Sequence, residues 1–239
     1  YQSRVSYMPQ GPIPDLPWTV IHTVLLDMDG TLLDLHFDNT FFRETVPQAL
    51  ARKRAMSVAE AARSLQEIYR SVEGTLDWYD LDYWSRTLGM DIPLLKEEVV
   101  HLIRAHPHTL DVLRTLQQLK KPTHLVTNAH ARSLALKLRH TPIGDYLTSV
   151  ISSHTLGIPK ENPDFWPLLQ KQLGFAKAHT LLVDDSEPVL MAAKTYGLGF
   201  LCHIAAPSST QQPAHSTHFA SVLDLGTLLP GMTAHLPAK

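Results

Sequence analysis

Two carboxylates one residue apart, Asp27 and Asp29, follow the apolar run that ends at Leu26, and an adjacent acidic pair, Asp184-Asp185, closes another run that ends at Val183. Between them in chain order stand Thr127-Asn128 and Lys160. Crowded carboxylates repel an anionic substrate, so the set makes sense around a divalent cation, and oxygen-only donors favour magnesium. Beside such a cation the Asp27 carboxylate is placed to attack phosphorus as a nucleophile, splitting one hard hydrolysis into two easier steps. Asp29, past the strand end, is the candidate to protonate a leaving alkoxide and later to take a proton from water. Thr127, Asn128 and the Lys160 ammonium are candidates to hold the transferring oxygens, and Lys160 also to steady the Asp27 charge.

Each of these residues has a plainer reading. An aspartate at a strand end often only turns the chain. Thr127 suits a cap for a helix opening near Ala131, and a lone lysine such as Lys160 is usually solvated. Asp184 and Asp185 suit a helix cap, although two adjacent acids leaving an apolar strand are costly without a cation. The argument rests on four separate segments that have to meet.

They meet if the chain builds a parallel sheet. Short β-branched and apolar runs over Thr19 to Leu26, Thr123 to Thr127, Ser149 to Ser152, Thr180 to Val183 and Gly199 to Ile204 read as buried strands. Helical spacing separates them: Leu110, Leu113, Leu116 and Leu119 form one stripe, and Leu134, Leu136 and Leu138 a less regular one. Asn162 and Pro163 read as a cap and first position for a helix to about Leu173, and Glu187 to Tyr196 closes at Gly197. Alternation of this kind predicts an α/β fold with helices on both faces of the sheet, whose carboxyl edge binds ligands. From about Leu35 to Ala105 the pattern is helical throughout. Ser57 with Glu60 forms a capping box for a helix ending near Gly74, and a second helix, Leu81 to Leu88, stops at Gly89. The expected organisation is an extended arm over 1–17, a core of 18–34 and 106–239, and an inserted helical cap over 35–105.

Composition narrows the partners. With 239 residues, 44% hydrophobic, the chain can bury a core. The 23 acidic and 21 basic residues lie in no long single-sign block, so neither nucleic acid nor a membrane surface is expected as partner, and a small molecule is. One cysteine, Cys202, excludes an internal disulfide framework, and no signal-peptide pattern or spanning-length apolar run is present, so a cytoplasmic protein is expected. The chain opens on Tyr1, which leaves Met8 open as the native start. Among the 14 histidines, His106-Pro107-His108 lacks any zinc-site companion and is expected at the surface, as is Arg52-Lys53-Arg54. Trp78, Tyr79, Tyr83 and Trp84 cluster in the insert, as cap core or as a wall for a substrate.

Taken in order, Asp27-x-Asp29-Gly30-Thr31, the run ending at Thr127, Lys160 within Gly157 to Pro163, and the run ending at Asp184-Asp185-Ser186 resemble the four motifs of the haloacid dehalogenase superfamily. The resemblance spans nearly the whole chain. It implies a Rossmann-like core, magnesium, an aspartyl-phosphate intermediate and a helical cap after the first motif. It also implies Asp27, Asp185 and the Asp29 backbone carbonyl as metal donors with Asp184 nearby, the division within the acidic pair staying open. Residues 25–39, 76–89 and 127–130 are similar to the GMP/IMP nucleotidase branch, which implies hydrolysis of purine nucleoside 5′-monophosphates. The alternatives are a phosphoglycolate phosphatase, or a sugar phosphatase or phosphomutase, of the same superfamily. A phosphorelay receiver uses similar residues, but its acidic pair comes first. An inactive phosphate-binding module fits poorly with both Asp27 and Asp29 present.

Overall fold

In the computed structural model, which describes residues 14–236, six strands form one sheet: β1 (Thr23–Leu26), β2 (Thr123–Thr127), β3 (Ser149–Ser152), β4 (Thr180–Asp184), β5 (Phe200–Ile204) and β6 (Ala220–Val222). Their order is β3-β2-β1-β4-β5-β6 and every pairing is parallel. The expectations for the arm and for Met8 fall, over residues 1–13, outside the described residues.

Strand side chains alternate between two faces, and the sequence supplies apolar residues to both. Val24, Leu26, Leu125, Leu181, Val183 and Cys202 pack with Val112, Leu113 and Leu116 of α7 (Thr109–Gln118) and with Met232 of α12 (Leu229–Thr233). Leu25, Val126, Ile151 and Leu182 face the other way, onto Phe165, Trp166 and Leu169 of α10 (Phe165–Leu173) and Val189, Leu190 and Ala193 of α11 (Glu187–Tyr196). Two further helices, α8 (Ala131–His140) and the short α9 (Ser153–Leu156), follow β2 and β3.

Between β1 and α7 the chain forms helices and contributes no strand: α1 (His36–Thr40), a π-helical turn over Phe41–Thr45, α2 (Val46–Arg54), α3 (Val58–Val72), α4 (Leu76–Tyr79), α5 (Leu81–Leu88) and α6 (Ile92–Glu97). These pack on their own apolar cluster, which includes Phe41, Leu50, Leu65, Trp84, Leu88 and Ile92. The outgoing and returning segments run side by side, with a bridge between Leu33 and Ala105 and a hydrogen bond from Asp34 N to Arg104 O at 2.9 Å. The Ser57 to Glu60 capping box opens α3, and Gly89 closes α5 in the left-handed region.

Several sequence expectations need correction. The first strand starts at Thr23 and not Thr19, because Val20 and Ile21 both donate backbone N–H groups to Pro17 O and turn the chain. Asp164, not Asn162, precedes α10; Asn162 Oδ1 accepts from Asp164 N at 3.0 Å and makes a turn one step earlier. Strand β6 is three residues at the sheet edge, too short to show a period. His106 is buried rather than exposed, its Nε2 3.1 Å from Pro207 O, and burial lowers its pKa.

The turn after β1 depends on one glycine. Gly30 has φ +91°, and a Cβ built there would lie 2.6 Å from Asp185 Oδ2. A side chain is excluded by backbone strain and by the acidic loop after β4. We expect Gly30→Ala to lower unfolding free energy by more than about 1 kcal/mol, read as a lower urea midpoint at unchanged slope.

Candidate active site

The position of β1 between β2 and β4 determines who meets whom. Leu26 registers with Leu125 on one side and Val183 on the other, so Asp27 emerges at the carboxyl edge flanked by the Thr127 and Asp184 strand ends. Asp27 N donates to Val183 O at 3.1 Å and carries the ladder one residue past β1. Around this point Asp27, Asp29, Thr127, Asn128, Lys160, Asp184 and Asp185 line one cleft of about 190 Å³, together with Tyr79 and Glu161. Every residue named from the sequence for catalysis, phosphate or metal is thus brought to the same place.

Lys160 organises the deep end. Its Nζ donates to Asp27 Oδ1 at 2.5 Å, to Asp184 Oδ2 at 2.7 Å and to Val126 O at 3.1 Å, which uses all three ammonium protons. The backbone that carries it is pinned from both sides: Lys160 N donates to Asn128 Oδ1 at 3.0 Å, and Lys160 O accepts from Trp166 Nε1 at 3.1 Å. Burial opposes charge on this lysine, but Asp184 and Asp27 outweigh it and hold the ammonium above its usual range. Burial likewise lifts Asp27 to about 6 against the pull of Lys160, and it raises Asp184 and, further still, Asp185.

Asp27, Asp184 and Asp185 each offer an oxygen within 4.8 Å of the others. The cleft lining holds five carboxylates, with Glu161 and Asp29 added to these three, and one lysine. Three converging carboxylates with a surplus of negative charge suit a hard divalent cation. The Asp29 side chain points elsewhere. Its Oδ1 accepts from Lys137 Nζ at 2.6 Å, and Lys137 also reaches Asp38 Oδ2 at 2.6 Å.

Thr127 Oγ1 accepts from Ala129 N at 3.0 Å, which leaves its hydroxyl proton to donate. Asn128 is engaged at both ends, donating from Nδ2 to Glu161 Oε2 at 2.8 Å while its Oδ1 serves Lys160. Tyr79, from α4, donates to Glu161 Oε1 at 2.7 Å across the mouth of the cleft. Of the four clustered aromatics only Tyr79 lines the cleft. Trp84 is buried, and Trp78 packs edge-on against it and against Tyr69. Glu161 and Lys137 were missed in the sequence. Glu161 neighbours Lys160 and could have been included on adjacency alone. Lys137 shares one helix face with Ser133, four residues earlier, and a polar pair at that spacing amid leucines was the available signal.

Among the described residues no helix is long and apolar enough to cross a membrane. A family model for haloacid dehalogenase-like hydrolases matches residues 21–197. The chain is 37% identical over 218 residues to the GMP/IMP nucleotidase YrfG of Escherichia coli, covering 91% of this chain and 98% of that one. It is 26% identical to a phosphoglycolate phosphatase of Pseudomonas fluorescens, over 90% of this chain and 81% of the relative. In structure it resembles a HAD phosphatase from Thermococcus onnurineus, with TM-score 0.76 at 22% identity over 91% of this chain and all of that one. The match runs from the strand before Asp27 to Gly197, beyond the acidic pair, and takes in all four segments at the carboxyl edge of the sheet: the chain belongs to the haloacid dehalogenase-like hydrolases.

Proposed function

We propose that this hydrolase is a magnesium-dependent phosphomonoesterase that works through a phosphorylated Asp27, with purine nucleoside 5′-monophosphates as substrates. The observation that carries the reaction type is the Lys160 ammonium shared between Asp27 and Asp184 at the bottom of a cleft rimmed by Asp29 and Asp185. Lys160 orients the Asp27 carboxylate, and its charge offsets that of an incoming phosphate. The second Asp27 oxygen attacks phosphorus, the ester oxygen departs, and Asp29 supplies its proton. Water then attacks the aspartyl phosphate with Asp29 accepting the proton, which returns free Asp27 and phosphate. Thr127 donates to a transferring oxygen, and Asn128 fixes the Lys160 loop. Magnesium, held by Asp27, the Asp29 backbone carbonyl and Asp185 with Asp184 nearby, would neutralise phosphate charge and polarise its oxygens.

In this reading 18–34 and 106–239 form the catalytic core and 35–105 the cap. The cap contributes Tyr79 to the cleft and thereby bears on what enters. The cleft volume of about 190 Å³ lies below the roughly 300–1,000 Å³ of pockets that enclose a drug-sized ligand. It suits a phosphate and the start of its ester, with a planar base lying outward past Tyr79. The nucleotide assignment draws its support from the 37% identity to the YrfG nucleotidase.

Asp27→Asn is expected to reduce phosphate release below about one per cent of the parent with an unchanged circular dichroism spectrum, since an amide is no nucleophile. Retained turnover, with deamidation excluded by mass, would remove the covalent mechanism. Chelation of divalent cations should abolish turnover and magnesium should restore it. Across GMP, IMP, AMP, CMP, UMP and 2-phosphoglycolate, kcat/KM should be highest for GMP and IMP. AMP lacks the 6-oxo acceptor they share, and it should fall short by more than about tenfold because a donor meant for that oxygen is left unmet. A lead by phosphoglycolate or a sugar phosphate would overturn the nucleotidase reading and leave the phosphatase reading in place.

A further inference from the structure

Behind Asp29 lies a buried chain of charges that the reaction scheme does not use. Lys137 Nζ on α8 binds Asp29 Oδ1 and Asp38 Oδ2, each at 2.6 Å. Asp38 Oδ1, on α1, takes a hydrogen bond from Lys96 Nζ on α6 at 2.9 Å, and Lys96 also donates to Ser133 Oγ at 3.0 Å. Both lysine side chains are almost fully covered, at 2% and 3% exposure. Aromatic faces complete the enclosure: Lys96 lies 5.2 Å from the ring centroids of Phe37 and Phe41, and Lys137 lies 5.4 Å from that of Phe37.

Stability does not account for this arrangement. Buried ion pairs are commonly replaced by apolar residues at no loss, because desolvation cancels most of their attraction. Two lysines and two aspartates, drawn from α6, α8, α1 and the turn after β1, stand where apolar side chains would pack without that desolvation. What the chain of charges does achieve is directional. Asp29 lies two residues from Asp27, beside the three carboxylates that converge within 4.8 Å, yet its side chain is outside that group. A carboxylate left loose there is drawn toward any cation in the cluster and is then a ligand, unable to carry a proton to an ester oxygen.

We propose that Lys137 is a positioning residue for the reaction. It holds the Asp29 carboxylate out of the acidic cluster and at the cleft wall where a leaving group departs, and Asp38 with Lys96 fixes Lys137 in turn. The proposal rests on the phosphatase reading, with Asp29 as proton donor. Asp38 and Lys96 belong to the helices between β1 and α7, so the orientation of a core carboxylate depends on the seating of those helices against α8.

Leaving-group dependence tests it, because kcat/KM reports the step in which the ester oxygen departs. The variants are Lys137→Met, Lys137→Arg, Asp29→Asn and the Asp29→Asn/Lys137→Met double, with p-nitrophenyl phosphate compared against the alkyl ester that the unaltered enzyme hydrolyses best. Lys137→Met should lose about tenfold or more in kcat/KM on the alkyl ester, where protonation matters, and several-fold less on the aryl ester, which leaves unaided. Added to Asp29→Asn, it should cost less than about twofold further, since a residue acting only through Asp29 has nothing left to act on. Equal losses on both esters, or the same loss in the Asp29→Asn background as in the parent, would overturn the proposal. Should Lys137→Met fail to fold, Lys137→Arg carries the comparison, because it keeps the charge but moves it: a smaller, ester-selective loss supports the proposal and an unselective change or none overturns it. No phosphate release from either ester by the unaltered enzyme would instead remove the phosphatase reading itself.

Discussion

A buried ammonium between two buried carboxylates is the constraint around which this molecule is arranged. Lys160 is 2% exposed and Asp184 1%, so neither charge has water to fall back on. Removing either partner would strand the other in a low-dielectric interior, where an unpaired charge costs several kcal/mol. The fold meets this demand with rigid parts. Asp27 and Asp184 leave adjacent parallel strands in register, and Lys160 hangs from a loop held by Asn128 and by the indole of Trp166, itself in the core beneath.

A second lysine does similar work on the other side of Asp27. Lys160 gathers Asp27 and Asp184 inward, while Lys137 draws Asp29 toward Asp38. The two aspartates of one motif therefore lie in different electrostatic surroundings although only Met28 separates them. Burial lifts both to about 6, with Lys160 opposing the rise at Asp27 and Lys137 opposing it at Asp29. Asp38, between two lysines, goes the other way: burial opposes ionisation there, but Lys137 and Lys96 outweigh it and bring the pKa to about 2. An acid with one neighbouring cation is raised by burial, and an acid with two is lowered despite it.

The helices between β1 and α7 touch the cleft lightly. Tyr79 reaches it, and its phenol is tied to Glu161, whose other oxygen is tied to Asn128. Trp78, Tyr83 and Trp84, which the sequence offers with Tyr79 as a wall for a planar ligand, are committed elsewhere: they pack edge-on or stacked with one another and with Phe42 and Tyr69 in a separate core. That spends most of the available π surface on holding the helices together.

Read by itself, the sequence determined the class of the fold and most of the charged members of the cleft, Glu161 apart. Short apolar runs rich in β-branched residues read as strands covered on both faces, their alternation with helical stripes points to a parallel sheet, and a parallel sheet collects its strand ends, which brings Asp27, Thr127 and Asp184 together. Lys160 was legible as one of a set of segments in order along the chain. Local signals also carried the capping box at Ser57 and the left-handed closures at Gly89 and Gly197, because these depend on neighbouring residues alone. What tertiary structure decided is everything set by contacts across long separations. The bond from Lys137 to Asp29 spans 108 residues and that from Lys96 to Asp38 spans 58, and no periodicity or spacing encodes either. The sequence could name the carboxylates; only the packing of α1, α6 and α8 could say that Asp29 would turn to Lys137 and away from the other three, because in a buried site the direction of a charged side chain is chosen by the nearest opposite charge.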